Sequence, residues 1–268
     1  MAFWGNEFIF DGIPCSEFGL MVYSFGTESQ EDVSFQNGSV IEDRIPGRYD
    51  ALTYGVVQNQ ALEYTLIFGA NPDSIDMYAP LDRYEVESIT SWLTGHRERK
   101  WLVIMQNDME PFRYKCVLSE LKLITYGDMP WAFQCKVSCD SPFAYTSPEE
   151  YVYSVDKDGA DITFFNRSSY NGFYMPIIEL SNIKSSSISI VNGSDGDRAF
   201  AFTDLPVSSD LSIRVDNRNQ IITNSQDLNL YKHFNMQFFR LVRGDNSIKI
   251  TGDATVKFIC EFPVNIGG

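Results

Sequence analysis

The sequence has little histidine, little base and no long apolar run. His96 and His233 are its only two histidines, and they lie far apart. A histidine-dependent nucleophile would have to rest on one isolated ring, and no Gly-X-Ser-X-Gly elbow accompanies either. His96 follows a helix-like segment beside Arg97 and Arg99, where the dipole favours a surface imidazole. His233 lies in the polar approach "LYKHFNM". Neither the phosphate-cradling G-X-X-X-X-G-K-[ST] loop nor the dinucleotide fingerprint G-X-G-X-X-G occurs. An enzyme is therefore not expected. Lys and Arg number 21 against 36 Asp and Glu, a net of −15, so no basic surface is available to grip nucleic-acid phosphates. No stretch approaches the roughly 18 apolar residues that cross a bilayer, and no membrane insertion is expected. The start "MAFWGNEFIFDG" has no basic leader, and Asn6, Glu7 and Asp11 interrupt it. Synthesis in a cytoplasm is the expectation.

Cysteine is sparse and unpaired in number. The five are Cys15, Cys116, Cys135, Cys139 and Cys260. Cys135 and Cys139 share one face of a strand-like run, but two distant histidines do not complete a zinc set. Buried free thiols are expected instead. In "NGSDGDR", residues 192–198, Asp195 and Asp197 lack the further acid and the closing Glu of a calcium loop, so the segment reads as a turn between strands. The sequons at Asn37, Asn166 and Asn192 carry little meaning without secretion. No cofactor and no metal are expected.

Aromatics are plentiful, with 20 Phe and 14 Tyr, which favours strands. The chain pauses at "CDSPFAYTSPEEY", where Pro142 and Pro148 sit among small polar residues. Charge changes at the same place. Residues 1–150 hold 10 Lys+Arg and 23 Asp+Glu, a net of −13, whereas residues 151–268 hold 11 and 13, a net of −2. Two domains are expected, at about 1–145 and 155–268.

The fold class is mainly β. In the first domain, "EFIFDGI" and "FGLMVYSF" are extended runs, with Asp11-Gly12 as a hairpin turn. The polar stretch 26–58 reads as a long loop, either an arm that packs on a neighbouring subunit or a mobile segment. "ALEYTLIFGA" alternates as a strand. "APLDRYEVESITSWLTGH" is the one convincing helix, with Asp82 as N-cap, Glu85 completing a capping box, an apolar stripe at Tyr84, Ile89, Trp92 and Leu93, and Gly95 as its end. "KWLVIMQ", "FRYKCVLSELKLITYG" and "WAFQCKVSC" add strands. Trp131, Phe133, Cys135, Val137 and Cys139 form the buried face of the last. This half is an α+β domain with one packed helix.

The second domain shows only short strands and turns, the pattern of an antiparallel β-sandwich. Its segment "FFRLVRGDNSIKITGDATVKFICEF" reads as a three-stranded meander. Phe239 and Leu241 point inward before a first corner at Gly244-Asp245-Asn246. Ile248 and Ile250 follow, then a second turn at Gly252-Asp253, then Val256, Phe258, Cys260 and Phe262. The tripeptide Arg243-Gly244-Asp245 is on this reading a corner, not an adhesion signal. In "RSSYNGFYMP", Tyr170, Phe173 and Tyr174 depart from core-type alternation and are candidates for an exposed outer contact. Sugar recognition is the alternative function they raise, although all four Trp lie in the first half.

In order and spacing, several segments resemble the distal tail proteins of long-tailed bacteriophages. They are "FIFDGIPCSEFGLMV", "IEDRIPGRYDALTYG", "EYTLIFG", "ITSWLTG", "FRYKCVL", "FQCKVSCDSPFAY", "GFYMPIIELSN" and "FFRLVRGDNSIKITG". The second carries Tyr49-Asp50 where Asp and Gly are more usual. The resemblance spans nearly the whole chain. It implies a first domain that closes into a hexameric ring continuing the tail tube, and a galectin-like second domain projecting outward. The arm at 26–58, with Arg44, Pro46, Gly47, Arg48 and Tyr49, would embrace the adjacent subunit. The implied partners are further copies of the chain, the tail tube protein, the tail-tip protein and a receptor-binding protein, in a virion tail tip assembled after synthesis in the host cytoplasm. DNA would pass the lumen without specific binding, which a strongly acidic ring half would suit. A carbohydrate-binding module for host-surface adhesion, a tail-tip hydrolase and a phage-tail-like particle are the alternatives.

Overall fold

The computed structural model describes residues 5–26, 38–58, 61–72, 80–105, 111–208 and 210–265. It divides into two compact units, the first running through Tyr145 and the second spanning Thr146–Val264.

In the first unit, β1 (Glu7–Phe10) turns through Asp11-Gly12 into β2 (Ile13–Pro14). Both turn residues have positive φ, as a two-residue hairpin of this hand requires. β3 (Leu20–Gly26), β4 (Gly38–Asp43), β5 (Leu52–Gln58), β6 (Glu63–Ala70), β7 (Lys100–Met105), β8 (Phe112–Tyr126), β9 (Met129–Cys139) and β10 (Ala144–Tyr145) follow. The main sheet has the order β2-β1-β7-β8-β9-β6-β3, with β10 also on β8, and all its pairs are antiparallel. Its buried face carries Phe8, Leu66, Phe68, Leu102, Phe133 and Val137. Along β9 the burial alternates as period two dictates.

The helix α1 (Arg83–Thr94) begins as its sequence prescribes. The Asp82 carboxylate accepts from Glu85 N at 2.7 Å, and the Glu85 carboxylate accepts from Asp82 N at 2.7 Å. Trp92 anchors it. Its indole N–H donates to Phe10 O at 3.3 Å, and its ring stacks on Phe18 and Phe8. With Ile89 and Leu93 it forms the buried stripe, each side chain contributing about 1.5–3 kcal/mol by leaving water. Tyr84 does not belong to that stripe. It is 80% exposed, because five and nine positions before Ile89 and Leu93 it falls on the opposite side of the helix at 3.6 residues per turn. Gly95 ends the helix without a left-handed turn, at φ −68°.

The stretch 26–58 differs from a plain loop. Residues 27–37 lie outside the described part, but β4 and β5 pair as a two-stranded ribbon of their own. Scattered Gly and acids hid the alternation that makes them strands.

The second unit is a sandwich. β11 (Glu149–Val155), β12 (Ala160–Asn166), β13 (Ile177–Ser181), β14 (Ile188–Asn192), β15 (Arg198–Phe202), β16 (Ile213–Asp216), β17 (Ile221–Asn224), β18 (Gly244–Thr251) and β19 (Ala254–Cys260) form two antiparallel sheets. One has the order β11-β19-β13-β16-β17 and the other β12-β18-β14-β15. Their inner faces share one core that includes Phe164, Leu180, Phe200, Ile250, Val256 and Phe258.

The three-stranded meander is not formed. Phe238–Arg243 is not a strand, and β18 and β19 lie in different sheets. Gly252-Asp253 carries the chain across the sandwich rather than around a hairpin. Alternation places residues on a face but cannot say which sheet owns it.

Candidate functional site

Three exposed features stand out from the two cores. The first is the ribbon β4–β5 and its tip. Ile45-Pro46-Gly47-Arg48 is a turn closed by Arg48 N donating to Ile45 O at 3.1 Å. Proline presets the first corner, and Gly47, at φ +89°, takes the second, as a type II turn demands. Arg48 then grips Asp50 through Nε at 2.9 Å and Nη2 at 3.1 Å, and its hydrogen bond holds the Asp50 carboxyl below the usual carboxylate range. Arg44 lies 3.9 Å from Glu42 and is 86% exposed. Between them Tyr49 stands fully in solvent, and Val40, Ile41, Ile45 and Tyr54 are also exposed. Arg44, Pro46, Gly47, Arg48 and Tyr49 are thus brought together at one tip.

The second feature continues the strand expected at "FRYKCVLSELKLITYG" into a hairpin not marked in the sequence. Beyond an irregularity between Ser119 and Lys122, where Glu120 has φ +53°, β8 and β9 run on as a hairpin. Leu123, Ile124, Tyr126 and Met129 are exposed on it. The signal lay in "YGDM", where Gly127 and Asp128 take the positive φ of a tight turn.

The third is the loop from Ser168 to Tyr174 on the second unit. Ser168 N donates to Asn166 Oδ1, Tyr170 N to Ser168 Oγ, and Ser169 N to Pro263 O, all between 2.8 and 3.1 Å. Tyr170 and Phe173 are exposed. The Arg240 guanidinium lies 3.6 Å from the centre of the Phe173 ring and pairs bidentately with Asp195 at 2.6 and 2.9 Å. Arg243 Nη1 donates to Asn171 Oδ1 at 2.8 Å. Tyr174 is placed otherwise than its sequence context suggested. Its hydroxyl accepts from Glu261 N at 2.7 Å, its ring packs on Phe262, and its backbone bridges Leu241. Burial raises its pKa. It is a half-buried pin under the loop. Asp195 lies in the tight turn 193–195 capped by Asn192, held by an arginine.

All five cysteines are buried and free. Burial pushes the thiols of Cys135, Cys139 and Cys260 up to about 12, so they stay protonated and inert at neutral pH. Among the described residues no group of three or more His, Cys, Asp or Glu is placed to hold a metal ion. His96 is half-buried, with Nε2 2.8 Å from Trp92 O and its ring against Phe10. His233 has Nδ1 3.1 Å from Thr203 O. Both rings serve local structure.

A two-unit β protein with apolar hairpins and buried, inert thiols fits an assembly component. The chain belongs to a phage tail protein family, matching its N-terminal domain over residues 3–141 and its C-terminal domain over residues 143–260. Among solved structures, it is similar to the Dit protein (gp 19.1) of SPP1, described as a paradigm of the hub adsorption apparatus in phages infecting Gram-positive bacteria. Identity is 13%, the TM-score is 0.64, and the match covers 96% of this chain and 98% of that one. A chain of the phage P2 baseplate in its activated conformation matches at 8% identity and a TM-score of 0.57, covering 97% of this chain and 99% of that one. A search of curated proteins gives no match.

Proposed function

We propose that this chain is the structural hub of a phage tail tip. It closes into a ring, a homohexamer, that joins the tail tube to the tip protein and anchors receptor-binding proteins. The observation that carries this is the ribbon β4–β5. A lone two-stranded hairpin is marginal in water, and this one exposes Val40, Ile41, Ile45, Tyr49 and Tyr54. Such a patch gains stability when a neighbouring copy covers it. A ring needs two different patches per subunit, and the extended β8–β9 hairpin supplies another apolar surface. Membership of the tail protein family and the likeness to a hub and a baseplate chain support the same role.

The role is non-catalytic and lies in the virion after synthesis in the host cytoplasm. The net of −13 on residues 1–150 suits a lumen through which DNA slides without sticking. Deleting residues 38–58 tests the ring. By light scattering after gel filtration, the full chain is expected as a hexamer and the deletion as a folded monomer. A deletion that remains hexameric would rule the ribbon out as the clasp.

A further inference from the structure

The ring proposed above rests on the β4–β5 ribbon and does not draw on the Ser168–Tyr174 loop, which is well fixed for an exposed loop. Hydrogen bonds from Ser168 N, Ser169 N, Tyr170 N and Tyr174 N tie it at four points. The Tyr170 ring passes directly over Gly172, where any side chain would collide with it. One side of the Phe173 ring is covered by the Arg240 guanidinium. Both aromatics nevertheless leave more than two fifths of their surface in solvent, at 47% and 42%. Exposed rings held in place bind at low entropic cost, because little rotamer freedom remains to be lost.

The polar groups beside these rings have a common character. Asn171, Arg240 and Arg243 are planar, with more than one donor each. Arg240 spends two donors on Asp195, and Arg243 spends Nη1 on Asn171, so each guanidinium and the Asn171 amide keep N–H groups to offer. Asp195 neutralises Arg240, so the cluster is not a simple anion trap. Ring faces that accept C–H groups, flanked by planar groups with donors to spare, match a saccharide: one apolar ring face beside hydroxyls that accept from the planar groups.

We propose that Tyr170 and Phe173, with Asn171, Arg240 and Arg243, form a glycan-binding site on the second unit. Its ligand is a saccharide, and the source that fits a tail component is a polysaccharide of the host surface. Aromatic stacking carries the affinity, and the planar groups select the hydroxyl geometry. Asp245 of the Arg-Gly-Asp tripeptide takes no part, whereas Arg243 does.

The test uses the full-length chain on an immobilised panel of bacterial surface polysaccharides and of hexose, N-acetylhexosamine and 6-deoxyhexose oligosaccharides. At least one glycan is expected to be retained, and the double variant Tyr170→Ala, Phe173→Ala is expected to lose that binding more than tenfold with its melting temperature nearly unchanged. Arg243→Ala, which leaves both rings in place, should weaken binding several-fold and shift the preference among hydroxyl stereoisomers. Should the aromatic variant melt early, the Arg243 variant decides alone. Binding should persist from 0.1 M to 1 M salt, where the Debye length falls from about 10 Å to about 3 Å. No retained glycan, binding indifferent to these substitutions, or binding abolished by salt would each overturn the proposal. So would a double variant that keeps glycan binding but fails to capture a purified tail-tip protein, which would mark the loop as a protein-docking surface. Ring formation is scored separately by mass, so failure here leaves the hub role standing, and the reverse.

Discussion

Asn246 carries out at one position what a third strand would have done. It is fully buried in β18. Its Oδ1 accepts from Val242 N at 2.9 Å and from Asn192 Nδ2 at 3.0 Å, while its Nδ2 donates to Val242 O and Gly244 O, both at 2.9 Å. The irregular segment before β18 is thus satisfied by a side chain instead of a ladder. Asn246→Ala leaves several buried groups unpaired, so it should cost roughly 2–3 kcal/mol of second-unit stability in urea unfolding. Gly244 sits at φ +81° with open space around it. Gly244→Val should therefore destabilise through backbone strain, by roughly 1–2 kcal/mol, whereas Asp245→Glu should change almost nothing. In the first unit the Tyr114 hydroxyl is buried with no hydrogen-bond partner among the described residues. Tyr114→Phe removes that unpaired group and should raise the melting temperature slightly. The corner expected at Gly244-Asp245-Asn246 is instead the start of β18, paired with β12, and only the positive φ of Gly244 was legible. The sequence did not reveal Asn246, because asparagine is a turn former by propensity and only the packed sandwich makes it a buried acceptor.

At the scale of elements, local chemistry was legible in the sequence. The capping box of α1 is local chemistry, visible at Asp82 and Glu85, and Asp82→Ala should cost about 1 kcal/mol. The strands of β9 and β13 follow from alternation. The ribbon β4–β5 was hidden, because Val40, Ile41 and Tyr54 on it are exposed and periodicity signals burial; the full length of β8 was legible in "FRYKCVLSELKLITYG", but its hairpin with β9 was not. The arrangement of β18 and β19 was hidden for another reason: strand ownership is decided by long-range pairing. One further element-spanning feature is a row of charges across the outer face of the larger sheet. Glu150 on β11, Lys257 on β19, Glu179 on β13 and Arg214 on β16 pair in turn, with Lys257 3.4 Å from Glu150 and 2.9 Å from Glu179. Burial pushes the Glu179 carboxyl up, but hydrogen bonds from Lys257 and Arg214 outweigh it and hold the pKa below its ordinary value of 4.5. A folded-state pKa that is lowered gives stability present above the unfolded value and lost as pH falls through the folded one. Glu179→Gln should thus flatten the loss of stability on acidification below about pH 4.5. The row is partly solvated, so the change should stay within about 1 kcal/mol.

For the whole molecule, the sequence showed two units, a mainly β fold and an acidic first half, and its resemblance to tail proteins agrees with the family match. The surfaces that would make a ring, however, belong to the assembly rather than to the chain, and neither composition nor motif encodes which copy covers which hairpin. Ring closure would bury the apolar face of β4–β5 and leave the acids of residues 1–150 to set the potential of the lumen. A fluorescent duplex added to the ring should accordingly show no binding at physiological salt, and a charge-reversed lumen should retain it. The most direct measurement is the mass of the intact protein by analytical ultracentrifugation across the micromolar range. The hub role predicts a species of six 30.5 kDa chains that persists on dilution and gives way to monomer when residues 38–58 are removed. A single 30.5 kDa species at every concentration, with the ribbon intact, would contradict it.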